Sequence, residues 1–259
     1  MSDINAILAI ASRDFLKFIR DKQRIIFSFM FPLIFIAALG GSLNANLEKE
    51  IGYNFLTFVF IGVIAQTLFQ STASGIISLI EDRDNDFSQE MFVSPISRYS
   101  IITGKILGES AVAMAQLVSI FLIGLLIRVP INYTQLLLLL PFCLIVCLFG
   151  GAFGVLVLAN LSSQRSANQI FPFIMFPQFF LAGVFNPIKT LPTYLWVLSR
   201  ISPMTYAVDL LRSIYYTGDT AYSKVVLYSY SLDLSIIAVL TVIFIVVGTT
   251  LFVKNERNR

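Results

Sequence analysis

From Ile25 onward the chain alternates long apolar runs with short polar breaks. Runs of about 20 apolar residues mark membrane-crossing helices. Six are read here, at about 25–43, 55–80, 106–127, 135–159, 169–185 and 234–253, and they place 25–253 in one transmembrane domain. Ahead of them, Ile4, Ile7, Leu8, Ala11, Phe15, Phe18 and Ile19 recur at helical spacing, with Arg13, Lys17, Arg20 and Arg24 on the opposite side. That pattern predicts an amphipathic helix over 1–24 lying in the membrane interface, its basic stripe toward anionic headgroups. A helix that binds a partner fits the same pattern.

Inside the spans the polar residues are not scattered. Gln66, Thr67, Gln70, Ser71, Ser74 and Ser78 fall on one side of the second run. Such a stripe faces protein or a water-filled path rather than lipid, although helix packing produces the same signature. Gln66, Gln70 and Ser74, with Gln178 of the fifth run, are the candidates for a substrate path. Pro172 and Pro177 make that fifth run irregular, and Pro32 kinks or breaks the first, which ends at Gly40-Gly41 before a polar loop over 44–54. Gly150 and Gly154 have the spacing for close helix approach. Lys105 and Glu109, one turn apart, are expected to neutralise each other.

Residues 186–213 are too apolar for an ordinary loop. Pro192 and Pro203 open two short helices, 192–199 and 203–213, read as a re-entrant or interfacial hairpin on the extracytoplasmic side, with Tyr194, Trp196 and Tyr206 at headgroup level. The expected fold class is therefore an all-α integral membrane protein. It has six transmembrane helices, an N-terminal interfacial amphipathic helix, a short docking helix between spans 2 and 3, a hairpin before span 6 and a tail over 254–259.

Segment 81–105 holds the densest cluster of acids: Glu81, Asp82, Asp84, Asp86 and Glu90, beside Arg83. Phe87 and Met91 share a helical face with Glu90 next to them. Ser94-Pro95 reads as an N-cap and first helical position. An apolar knob with an acidic rim is shaped to dock on another protein; a solvated connecting loop is the alternative.

Composition sharpens this picture. The chain is 57% hydrophobic and 13% charged, against about 25% charged in soluble domains. Of its 18 Lys and Arg, twelve fall on the side of both termini and segment 81–105, which assigns that side to the cytoplasm. The first twenty residues are too charged for a cleavable signal peptide. There is no histidine, so histidine catalysis and ligation are excluded; Cys143 and Cys147, inside an apolar run, are read as packing residues. Gly104-Lys105 is followed by Ile106 and is not a phosphate-cradling G-x-x-x-x-G-K-[ST] loop.

The stretch D-R-D-N-D-F-S-Q-E-M-F-V-S-P-I-S-R, from Asp82 to Arg98, followed by Gly104-Lys105, resembles the signature of type-2 ABC exporter permeases, D-R-E-x-G-F-x-x-E-M-L-V-A-P-x-S-R and then G-K. Asp84, Asp86, Phe92 and Ser94 depart from it. The block ending in P-M-T-Y-A-V-D-L-L-R at Arg212 resembles a second pattern of the same family, with Ala182-Gly183 in place of its usual Ser-Gly. The resemblance implies a cytoplasmic coupling helix, with Glu81, Asp82, Arg83, Phe87, Glu90, Met91, Pro95 and Arg98 facing a separate ATPase subunit. It also implies a second permease copy or a relative, ATP and Mg held by the partner and not by this chain, and residence in the cytoplasmic membrane. Membrane lipids are the remaining partners, with Arg13, Lys17, Arg20, Arg24 and Trp196 at the interface; no nucleic-acid partner is indicated. An ion-gradient-driven transporter or channel is the alternative, weakened because Glu109 is the one charge within the six spans. A membrane enzyme lacks His and paired carboxylates to build a site.

Overall fold

A computed structural model describes residues 3–84, 97–158, 161 and 163–257, with side chains described except at 31, 39–51, 83–84, 158, 256 and 257. The described elements are all helical: α1 Asp3–Arg20, α2 Lys22–Ile51, α3 Phe55–Gly75, α4 Ser78–Asp84, α5 Arg98–Leu126, α6 Tyr133–Leu158, α7 Gln164–Leu181, a 3-10 turn Ile188–Thr190, α8 Thr193–Ile201, α9 Pro203–Tyr215, α10 Tyr222–Val225 and α11 Tyr230–Arg257. Among the described residues four stretches are long and apolar enough to cross a membrane: 55–82, 98–126, 133–157 and 222–255.

Helix α3 is the axis of the bundle. Asn54 caps it, its Oδ1 accepting from Thr57 N at 2.9 Å. Phe58 to Ile61 are four consecutive residues without exposed surface, because α2, α5, α6 and α9 surround the helix. A helix apolar on every side belongs in such a position. The expected close approach occurs where Gly150 and Gly154 of α6 meet α3. A Cβ at Gly150 would stand 2.3 Å from Phe69 O, and one at Gly154 2.5 Å from Ala73 O. Phe149, beside them, stacks on Phe244 of α11 with centroids 5.9 Å apart.

Several boundaries differ from the sequence reading. Helix α2 runs through Pro32 and on to Ile51, so only Gly52, Tyr53 and Asn54 remain of the polar loop expected over 44–54. The second apolar run is interrupted at Ile76–Ile77 between α3 and α4. Helix α5 starts at Arg98, eight residues before the expected 106, with Ser97 as its N-cap accepting from Ser100 N at 3.0 Å. Lys105 therefore lies two turns inside a helix.

The stretch read as a hairpin contains two short helices, the second of them packed inside the bundle. Helix α8 exposes Tyr194 and Ile201, whereas α9 is buried against α3, α6 and α11. Arg212 of α9 lies over the Phe58 ring, 3.5 Å from its centroid, and donates to Phe58 O at 3.3 Å and Val184 O at 3.1 Å. Asp209 accepts from Leu227 N at 2.9 Å and Tyr228 N at 2.8 Å, fastening the approach to α11. The Asp and Arg of the second signature block are thus internal fasteners of the bundle.

Candidate functional site

At the end of the bundle where segment 85–96 leaves α4 and returns to α5, five charged side chains meet. Lys105 is fully buried; its Nζ lies 3.0 Å from Asp14 Oδ2 and 2.8 Å from Asp82 Oδ2, and donates to Ser78 Oγ at 2.9 Å. Three acceptors satisfy the three protons of an ammonium. Arg13 donates to Asp14 Oδ1 at 3.0 Å and also hydrogen-bonds Asp82, while Lys17 reaches Asp82 Oδ1 at 3.4 Å. Burial draws the Arg13 guanidinium down from its ordinary value, and the bond to Asp82 with the charge of Asp14 more than restores it.

The helices come together here because two glycines permit it. Cβ atoms at Gly104 and Gly108 of α5 would stand 3.1 Å from Ile7 O and 3.0 Å from Ala11 Cα, so α1 lies directly on α5. Ala6, Ile10, Asp14 and Phe18, spaced by four, form its buried face. One turn further along α5, Glu109 takes Arg24 Nη2 at 2.8 Å, with Gly75 of α3 packed against its carboxylate.

This arrangement corrects two expectations. Lys105 and Glu109 do not neutralise each other: each has partners on other helices, because the extended α5 turns both toward α1 and α2. Nor is the basic stripe of α1 turned as a whole to headgroups. Arg13 and Lys17 engage Asp82 and Arg24 engages Glu109, while Arg20 is exposed. The outer surface of α1 is mixed, with Ile4, Leu8, Leu16 and Ile19 exposed beside Lys17 and Arg20. Trp196 stacks under the Arg200 guanidinium at 3.6 Å.

Of the proposed docking residues, Asp82 is the acid that holds Lys105, Glu81 is half-buried, and Arg98 occupies the first turn of α5. Phe87, Glu90, Met91 and Pro95 lie outside the described residues, as does the side chain of Arg83. The polar stripe of α3 divides. Gln70 and Ser74 line a cavity of about 300 Å³ between α2, α3 and α5, together with Arg24, Thr67, Ser71 and Gln116. Gln66 is buried behind them, donating to Gln70 Oε1 at 3.4 Å. Gln178 sits apart, its Oε1 accepting from Ser202 Oγ and Met204 N, both at 3.3 Å, at the corner between α8 and α9.

Sequence reading missed Asp14 and the cross-chain role of Lys105. The available signal was an acid falling in step with Ala6, Ile10 and Phe18, opposite a Gly-x-x-x-Gly pair.

The profile of the ABC-2 type transporter family matches residues 5–216. The chain belongs to that family. Its relatives include the transport permease ycf38 of Cyanophora paradoxa, 23% identical over 97% of this chain and 89% of that protein. Nodulation protein J of Rhizobium meliloti is 25% identical over 71% of this chain and 70% of its own length. The multidrug ABC transporter permease YbhR of Escherichia coli is 28% identical over 54% of this chain and 38% of its own. The chain is therefore a membrane-embedded transport permease, the membrane subunit of an ABC transporter. In this permease the two ends of the first signature block, Asp82 and Lys105, are joined by an ion pair, and α1 is bound into the same knot through Asp14.

Proposed function

We propose that this permease is the translocating half of an ATP-driven exporter. It pairs with a second copy or a relative and takes motion from a separate ATPase chain, which holds ATP and Mg, through segment 81–105. Both termini and that segment face the cytoplasm of a cell whose cytoplasmic membrane the chain crosses six times. The bias of Lys and Arg toward that side supports this orientation.

The observation that carries the reading is the contact of Lys105 with Asp82 and Asp14 together. A push on a tethered loop is dissipated if the loop can deform at its ends. Here the entry of segment 85–96, at Asp82, is held to its exit helix, at Lys105, and both are held to α1. Displacement of the segment is then passed to α1, α4 and α5 as a unit. A polar wall formed by Thr67, Gln70, Ser71 and Ser74 of α3 and Gln116 of α5, with Arg24 at the same cavity, lies further into the bundle. It is the candidate start of a path for a substrate carrying hydrogen-bonding groups.

The test targets the docking face. Phe87→Ala removes an apolar anchor, with an expected loss of about 2 kcal/mol, on the order of thirtyfold in affinity for the ATPase. Glu90→Lys places the wrong charge sign there. Both variants should reach the membrane at wild-type levels and lose ATPase co-purification, whereas Lys49→Ala should change neither. Wild-type partner capture and export by both variants would return the segment to a solvated loop.

A further inference from the structure

Two buried carboxyls meet where α9 packs on α11, and the hydrogen bonds around them are unevenly shared. Asp209 and Asp233 are 3% and 0% exposed, and their side chains lie against each other. Asp209 is well supplied with donors: Leu227 N reaches Oδ1 at 2.9 Å and Oδ2 at 3.1 Å, and Tyr228 N reaches Oδ2 at 2.8 Å. Asp233 has none; both of its oxygens lack a hydrogen-bond partner among the described residues. Buried polar atoms are ordinarily satisfied, and two carboxylates in contact do not both stay ionised without a positive charge between them.

The neighbouring side chains do not supply that charge. Arg212, one turn from Asp209 on α9, donates to Phe58 O and Val184 O and lies over the Phe58 ring. The Arg200 guanidinium lies over Trp196, and the Lys224 ammonium sits at Gly52. Tyr206 of α9 donates its hydroxyl to Arg200 O at 2.8 Å, and no hydroxyl of Tyr222, Tyr228 or Tyr230 is bonded to Asp233. Helix α6, which also packs on α11, carries no charged residue. Asp233 lies in the first turn of α11, where a helix favours an anion, yet no backbone N–H reaches its carboxyl.

The piece that completes the pair is a proton. An un-ionised Asp233 turns one orphan oxygen into a donor, and Asp209, held as the anion by two backbone N–H groups, is the acceptor beside it. We propose that Asp233 keeps its proton in the folded chain and donates it to Asp209, and that this shared proton latches α11 to α9. Without it a second negative charge stands against Asp209, which also holds Leu227 and Tyr228 of the connection between the two helices. The latch belongs to the chain alone and does not depend on how transport is energised.

The experiment uses the full chain in phospholipid nanodiscs. In the infrared the carbonyl stretch of an un-ionised carboxylic acid stands apart from those of carboxylates and amides. The difference between wild type and Asp233→Asn near neutral pH should show one such band lost. Melting is then followed from about pH 5 to about pH 8, above the ordinary Asp value of about 4. There the unfolded chain has released this proton while the native pair keeps it, so the latch is strongest in acid and its stability falls as pH rises. One proton amounts to roughly tenfold in the unfolding equilibrium per pH unit. Asp233→Asn, whose amide N–H replaces the proton permanently, should remove that share of the slope and melt no lower than wild type at the alkaline end. Sodium or calcium chloride should shift both proteins equally. A cation that stabilises wild type and not Asp233→Asn would be the missing positive charge and overturns the proposal. An infrared difference without the acid band, or the same pH slope in both proteins, overturns it as well.

Discussion

Replacing Lys105 with Met keeps the length of the side chain and removes its charge. The ammonium makes two charge-assisted contacts, to Asp14 at 3.0 Å and Asp82 at 2.8 Å, and a third to Ser78. Two such bonds are worth roughly 3–6 kcal/mol, and breaking a buried pair roughly 3–5 kcal/mol. The loss should fall near the lower bound, about 3 kcal/mol, because Arg13 still serves both acids and Lys17 still reaches Asp82. For a chain of this size that is a fall in melting temperature on the order of 10 °C, read by fluorescence-detected size exclusion after heating. Asp14→Leu combined with Lys105→Met should lose less than the sum of the two single changes, by about 1 kcal/mol or more. Arg165→Gln, at an exposed position, serves as the control and should stay within about 0.5 kcal/mol. A Lys105→Met protein that melts with wild type, together with strict additivity in the double variant, would refute the view of these residues as one unit.

Gly154→Ala should destabilise by about 1–3 kcal/mol, since its Cβ would meet Ala73 backbone atoms at 2.5 and 2.9 Å. At Gly218, where nothing lies within 4 Å and φ is +82°, the same change should show only backbone strain of about 1 kcal/mol; thermal melting ranks the two. Arg212→Lys should lower the melting temperature despite keeping its charge, because an ammonium cannot both stack over Phe58 and donate to two carbonyls in the guanidinium plane. Single cysteines replacing Ser2 and Asn258 should resist impermeant thiol reagents added to intact cells while one replacing Lys189 reacts; the opposite pattern would invert the orientation. The purified permease, freed of its partner, should neither bind nor hydrolyse ATP, as measured by nucleotide titration and phosphate release.

Much of the bundle was legible because the bilayer imposes a period. The apolar runs that become α3, α5, α6 and α11 stand out at once, and so did Gly150 and Gly154, whose spacing alone implies contact. The short helices opened near Pro192 and Pro203 were legible for a similar reason: proline fixes where a helix starts. Helix ends were less so. Ser97 caps α5, whereas the cap read at Ser94-Pro95 lies outside the described residues. The ion knot was not legible, because Lys105 and Asp14 are 91 residues apart and no local period links them. In α1 the pattern was legible only in part: Arg13 turns inward to Asp82, while Lys17 and Arg20 are exposed alongside Ile4, Leu8 and Ile19.

The separation of Asp14 from Lys105 also constrains the order of assembly. During synthesis the acids at positions 14 and 82 emerge before the lysine does. An unmatched lysine deep in an apolar helix is disfavoured by roughly 2.5–3.5 kcal/mol at the membrane centre, and by less near an end. The arrival of α5 therefore presents an ammonium to carboxylates already made, and with it comes the Gly104–Gly108 surface on which α1 packs, whereas before then α1 has only the pairing of Arg13 and Lys17 with Asp82. Docking of the first helix is thus a late event, completed only after half of the membrane segments are in place.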